Sequence, residues 1–271
     1  MAAVTPFQAV VLGIVEGLTE FLPVSSTGHL IVAAEWLRLD PAILDTYVVA
    51  IQFGAALAVA AYYRDRMRQL LGGVLRREPG GLRLLKHLLI AFLPVVFVGL
   101  AFDDYIEARF FGSRPVAWAL IVGGVAMIAV ELWRGRERAD DTDSLDEMTT
   151  RHALAVGVAQ CFSLWPGMSR SMSTIVGGRL AGLSNRTAAD FTFLLALPVL
   201  TSATAYKVLK GREAIAAIDG AAEALVLGNA VAFVVGFLAI WGFIKLVGRV
   251  GMVPFGVYRI VVGVALLLHL D

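Results

Sequence analysis

Charge is scarce in this chain. Only 17% of its 271 residues are Asp, Glu, Lys or Arg, against about a quarter in ordinary soluble domains. The charges also balance, 23 basic against 22 acidic, which excludes a nucleic-acid binder driven by bulk electrostatics. A single cysteine, Cys161, excludes a disulfide framework and any multi-cysteine metal site. No GxxxxGK[ST] loop is present to cradle a nucleotide, and no HExxH to hold a protease zinc. Residues 1–15 lack a basic start and a small-residue cleavage site, so no cleavable leader is expected. What abounds is apolar: 58% of residues are hydrophobic and the mean hydropathy is +0.77. A disordered chain cannot carry that much apolar surface. The composition predicts an all-α polytopic membrane protein.

Six apolar runs approach the roughly 20 residues needed to cross a bilayer. They are Tyr47–Tyr63, Leu84–Phe102, Pro115–Trp133, Thr187–Tyr206, Ala221–Val247 and Met252–Leu270. Two further apolar stretches are interrupted. Val4–Val15 runs into Glu16 and Glu20, is broken by Pro23 and Gly28, and resumes at Leu30–Leu37. Ala153–Trp165 is broken by Pro166 and Gly167 and resumes at Ile175–Leu183. A break at membrane depth is tolerated where protein or water satisfies the backbone, so both are read as re-entrant hairpins, with kinked spans as the alternative. Loop charges set orientation. Arg64, Arg66, Arg68, Arg76, Arg77, Arg83, Arg134, Arg136, Arg138, Arg151, Lys245 and Arg249 fall on one side; Arg38, Arg109, Arg114, Lys207, Lys210 and Arg212 fall on the other. The richer side is expected to be cytoplasmic, with both termini outward.

A repeat underlies this order. Pro23 and Pro166, Ser26 and Ser169, and Tyr63 and Tyr206 lie 143 positions apart, and Gly13 and Gly157 lie 144 apart. The chain is thus read as one integral membrane domain, 1–271, with halves at about 1–135 and 150–271 and a linker at 136–149. Each half holds one re-entrant helical hairpin plus three transmembrane helices. Three is odd, so the second half lies upside down, an inverted repeat of the kind found in transporters. The two tips, Ser25–Gly28 and Gly167–Ser171, are expected to meet.

Both tips are polar. The first reads EGLTEFLPVSSTGH over residues 16–29. Glu16 and Glu20 are four apart and share a helix face; two carboxylates there either hold a cation such as Mg²⁺ or Ca²⁺ or share a proton. Ser25, Ser26 and Thr27 offer hydroxyls that need a base to become nucleophiles, and His29 is three residues beyond Ser26. The same hydroxyls could instead cap the following helix, whose N-terminus would favour an anion. The second tip reads PGMSRSMST over residues 166–174. Its Arg170 carries a planar fork suited to phosphate, flanked by Ser169, Ser171, Ser173 and Thr174. An ion pair of Arg170 with Glu20 or Glu16 is the rival role. Arg259, inside the last span, is read as a structural partner for a carboxylate or carbonyl. Carboxylates, hydroxyls, an imidazole and an arginine in oil suit phosphoryl transfer on a lipid with a charged head.

The stretches EGLTEFLPVSSTGH and PGMSRSMSTI resemble the two signatures of the bacterial undecaprenyl-diphosphatase family, the bacitracin-resistance type, over nearly the whole chain. The resemblance implies an inner-membrane hydrolase that converts undecaprenyl diphosphate to the monophosphate carrier used for peptidoglycan and other envelope polymers. It also implies bacitracin resistance, a site facing the periplasm, and a divalent cation, Mg²⁺ or Ca²⁺. Carried over, Glu16 and Glu20 fall on the family's acidic motif as catalytic and metal-holding groups. Ser26, His29 and Arg170 take catalytic places, and Ser25, Thr27, Ser169, Arg170 and Ser171 bind substrate. The expected partners are a polyprenyl diphosphate and membrane lipid, with no nucleic acid and a homodimer left open. One departure stands out: Met172 and Ser173 replace the Gly-Ala of the usual S-R-S-G-A-T, which is expected to restrict and crowd the tip. Attack by Ser26, with Glu20 or His29 as base, is one mechanism; attack by metal-bound water or by His29 is another. The rivals from other classes are a lipid transporter or flippase, since fold alone does not fix function, and a membrane scaffold.

Overall fold

The structure is a computed structural model that describes residues 4–39, 41–110, 112–211 and 220–270. Arg212, counted above among the sparser cations, lies outside the described residues, as do the first three residues of the leader reading. Every element in the described chain is helical: α1 (Pro6–Thr19), α2 (Ser26–Trp36), α3 (Pro41–Tyr62), α4 (Arg64–Arg76), α5 (Pro79–Phe110), α6 (Ser113–Arg134), α7 (Thr150–Gln160), a 3₁₀ turn (Cys161–Leu164), α8 (Arg170–Ala181), α9 (Asn185–Lys210), α10 (Ala221–Val250) and α11 (Val253–Leu270). Within these, Pro79–Phe102, Ser113–Arg134, Asn185–Lys210, Ala222–Val250 and Val253–Leu270 are each long and apolar enough to cross a membrane. A sixth is reached if Tyr47–Tyr62 is counted with α4, from which it is bent by 84°. In hydrocarbon the backbone has no water to bond, so intrahelical pairing is the solution that apolar runs of this length adopt.

The segment holding Arg64, Arg66, Arg68 and Arg76 was expected as a loop; it is helix α4. Its charges centre on one side of a 3.6-residue period and Met67, Leu70, Leu71 and Val74 on the other, with Leu71 and Val74 exposed and Leu75 exposed between Arg64 and Arg68. Counting charges alone hid that period.

Small residues set how closely the helices approach. A β-carbon on Gly13 or Gly17 of α1 would meet the α10 backbone at 2.7 Å. One on Gly157 of α7 would meet Ala91 of α5 at 2.8 Å, and Gly124 of α6 lies against Gly256 of α11. Such contacts replace a hydrophobic driving force that lipid cannot supply between helices. The two broken hairpins, α1–α2 and α7–α8, are thereby each held against a long helix, α1 on α10 and α7 on α5.

The segment between α6 and α7 is fixed to α8. Asp141 accepts from Arg179 at 2.7 Å and from Arg134 at 2.6 Å. Arg179 also donates to the carbonyls of Leu183, Gly135 and Arg136. Thr142 pairs with Leu183 in an isolated bridge.

Candidate active site

Both hairpins begin and break alike. Thr5 caps α1 in a capping box with Gln8, and Thr149 caps α7 in one with His152. At the breaks, Ser25 (φ 75°) and Ser169 (φ 72°) take a left-handed backbone and cap the next helix, accepting from the amides of Gly28 and Met172. A non-glycine residue held there signals a constrained local structure. The sequence spacing paired Ser26 with Ser169; in local geometry it is Ser25 that resembles Ser169, and Ser26 and Arg170 are each the first residue of the helix that follows.

The tips meet. Arg170 Nη2 lies 3.2 Å from Glu20 Oε1, and its Nη1 donates to the Thr192 carbonyl at 3.0 Å. Ser171 Oγ donates to the Leu22 carbonyl at 3.0 Å and shares a 3.0 Å hydrogen bond with Ser169 Oγ. Arg259 is fully buried and bridges both breaks, donating to the carbonyls of Pro23 and Gly167 as well as Ala119 and Leu120. It takes the carbonyl side of its expected role. Broken helices leave carbonyls without intrahelical donors, and one guanidinium satisfies them from both tips. Gly167 is required at its place: its φ is +94° and a β-carbon would meet the Val116 carbonyl at 2.6 Å.

The Ser26 hydroxyl donates to Glu20 Oε2 at 2.5 Å, so one carboxylate holds the hydroxyl on one oxygen and Arg170 on the other. His29 does not reach Ser26. Its Nδ1 lies 2.7 Å from the Ser25 carbonyl and its Nε2 2.7 Å from the Tyr258 hydroxyl, with the two rings stacked at 5.7 Å. A carbonyl only accepts, so in the neutral ring Nδ1 carries the hydrogen and Nε2 accepts from Tyr258. The helical turn that places His29 near Ser26 in sequence turns its ring back toward the preceding carbonyl. Tyr258 was missed because, inside an apolar span, it reads as one more interfacial aromatic.

Glu16 is fully buried, and among the described residues neither of its carboxylate oxygens has a hydrogen-bond partner; the Nε of Arg170 is likewise unpartnered among them. Ser25 and Ser26 are buried, whereas Thr27 is exposed and His29 half-buried. Among the described residues no group of three or more His, Cys, Asp or Glu side chains gathers to hold a metal. Two carboxylates with an orphaned pair of oxygens do fit a hard cation that also binds substrate phosphate. Met172 needs no glycine-like backbone. It lies in the first turn of α8 without a left-handed backbone and packs its buried side chain beside Gly123.

These features define a class: a helical membrane protein with a buried polar site assembled from two helix breaks. The chain belongs to the family of bacitracin resistance protein BacA, which matches residues 9–265. It is 50% identical over 261 residues to an undecaprenyl-diphosphatase of Sorangium cellulosum, covering 96% of this chain and 85% of the relative. It is 42% identical over 268 residues to one of Geobacillus kaustophilus, covering 96% of each. A third, from Bacillus velezensis, is 40% identical over 271 residues, covering 97% of each.

Proposed function

We propose that this chain hydrolyses undecaprenyl diphosphate to undecaprenyl phosphate and phosphate, recycling the lipid carrier for peptidoglycan and envelope polymers and conferring bacitracin resistance. The name borne by its relatives supports the reaction. The observation that carries it is the Ser26–Glu20–Arg170 chain. Ser26 Oγ attacks the terminal phosphorus while Glu20 takes its proton. The phosphoanhydride bond breaks, the bridging oxygen leaves with the prenyl monophosphate, and the phosphoryl group passes to Ser26. Glu20 passes that proton to the departing monophosphate oxygen; water then attacks the phosphoserine and gives its proton to Glu20, which returns it to Ser26 Oγ as the P–O bond breaks and phosphate leaves. Arg170 balances charge on the transferred group, and the Ser169 and Ser171 hydroxyls stand beside it as donors. The N-terminal turns of α2 and α8 add backbone N–H groups that favour an anion.

Glu16 and Glu20 would hold a divalent cation, Mg²⁺ or Ca²⁺. When bound it supplies neutralisation of diphosphate charge. His29, through Tyr258, keeps a fixed tautomer at the edge of the site; the Ser26 hydroxyl bonds Glu20 while both His29 nitrogens have other partners, which favours Glu20 as the base. Ser25 and Thr27 complete the first tip.

The site is proposed to face the periplasm of the inner membrane, within two inverted halves. Matching element starts support the duplication: α1 and α7, α2 and α8, and α3 and α9 each begin 144 positions apart. The packing repeats too, since α1 on α10 mirrors α7 on α5, while α6 meets α11 and α3 meets α9. The test is metal-dependent phosphate release from isoprenyl diphosphates by purified protein, wild type and Glu20→Gln. The substitution keeps the shape and removes the base, so kcat should fall by about 10²–10⁴-fold. A Glu20→Gln protein as active as wild type would remove Glu20 from the mechanism, and wild type that releases no phosphate would return the chain to the transporter class.

A further inference from the structure

Along α10, beside the first hairpin, runs a groove of about 620 Å³. Leu18 and Leu22 of the first hairpin close one end, Leu238 and Trp241 form a wall, and Lys245 and Arg249 stand at the other end. The lining contains two cations and no carboxylate. Lys245 sits 3.9 Å from the centre of the Trp241 ring, and among the described residues neither it nor Arg249 has an ion-pair partner. From Val235 to Arg249 the groove follows about 21 Å of helix, the reach of a lipid chain from interface to midplane.

Gly242 lines the same groove. A β-carbon there would meet nothing within 4 Å, alone among the described glycines in helix interiors. Gly13, Gly17, Gly228 and Gly236 serve close helix contacts; Gly242 serves none inside the protein. Glycine in a helix interior costs about 1 kcal/mol relative to alanine, so a gap kept open at this point is suited to something from outside the chain.

We propose that this groove binds one phosphate-headed lipid of the surrounding bilayer, its chain over Gly242 and its anionic head between Lys245 and Arg249. The cations lie at the end of a membrane-spanning helix and the apolar end lies toward the hairpin break, which is the orientation of a leaflet lipid. A substrate with its head at Arg170 would have to lay its tail along the cations, so a resident phospholipid fits better. The groove borders the first tip through Leu22, but the proposal does not depend on the hydrolase reading.

Native mass spectrometry with phosphatidylglycerol or phosphatidylcholine, on the full chain, tests this. Wild type should retain one phosphatidylglycerol through activation that strips other lipids. The double variant Lys245→Gln/Arg249→Gln should retain it about 30-fold less well, since each interfacial cation contributes about five-fold. Gly242→Leu improves helix propensity and fills the gap, so it should fold and lose the bound lipid by a similar factor. Equal retention of phosphatidylcholine by wild type, or undiminished phosphatidylglycerol on either variant, would overturn the assignment.

Discussion

At the scale of single residues, the chemistry turns on which group touches the Ser26 hydroxyl. Glu20 does, at 2.5 Å, and His29 does not. With Ser26 as nucleophile, Ser26→Ala should lower kcat by about 10³-fold or more, the scale of losing a nucleophile. Rapid quenching of wild type with terminally labelled substrate should place phosphate on Ser26; label on His29, or an alanine variant with near-normal turnover, argues for the other mechanism. Sequence supplied every member of this cluster except Tyr258, and offered the Arg170–Glu20 pair and Glu20 or His29 as the partner of Ser26 without choosing between the alternatives. Glu20 and Ser26 are six residues apart across a break, a spacing with no helical meaning, whereas Ser26 and His29 have a spacing that suggests contact in a regular turn. The break decides the pairing, and its backbone, with Ser25 at φ 75°, is not deducible from residue type because serine rarely adopts it.

At the scale of elements, long spans were legible because hydropathy needs only length and composition, as Leu84–Phe102 within α5 shows. Helix α4 and the linker were not, because amphipathic order and ionic pairing depend on what lies opposite. Asp141 is the clearest case, since its partners Arg134 and Arg179 come from α6 and α8. Burial pushes its carboxyl upward, but hydrogen bonds from Arg179, the Arg138 amide and Arg134, with the charge of Arg179, outweigh this and hold it below the ordinary value. The sign follows. A depressed folded value means the stabilisation is complete above the unfolded carboxyl's pKa of about 3.9 and is lost as pH falls through the lower folded value. Thermal midpoints in detergent should therefore include an acid-side loss below about pH 4 that is absent in Asp141→Asn. That variant should also be less stable than wild type at pH 7, by about 3 kcal/mol, because it strands the buried Arg179. Parallel acid limbs in both proteins would show that Asp141 is not the group responsible.

At the scale of the whole molecule, the proposed repeat is visible in sequence only as a few matched residues at spacings of 143 and 144. The capping residues favour 144 at the tips as well. Thr5 and Thr149, like Ser25 and Ser169, are 144 apart and make the same local bonds. Caps survive where identities do not because an N-terminal turn needs an oxygen acceptor whatever apolar residues follow. If the halves are inverted, residues related by this shift must open on opposite sides of the membrane. Phe7 and Arg151 are such a pair, one on the first turn of each hairpin and both exposed. With Cys161 replaced by alanine, a membrane-impermeant thiol reagent on intact cells should label Phe7→Cys and spare Arg151→Cys, and inside-out vesicles should reverse the result. The direction follows from the cation-rich loops, which favour the cytoplasm. Labelling of both positions from one side would make the halves parallel, which with three spans between the hairpins requires the first hairpin to cross the membrane completely instead of turning back within it.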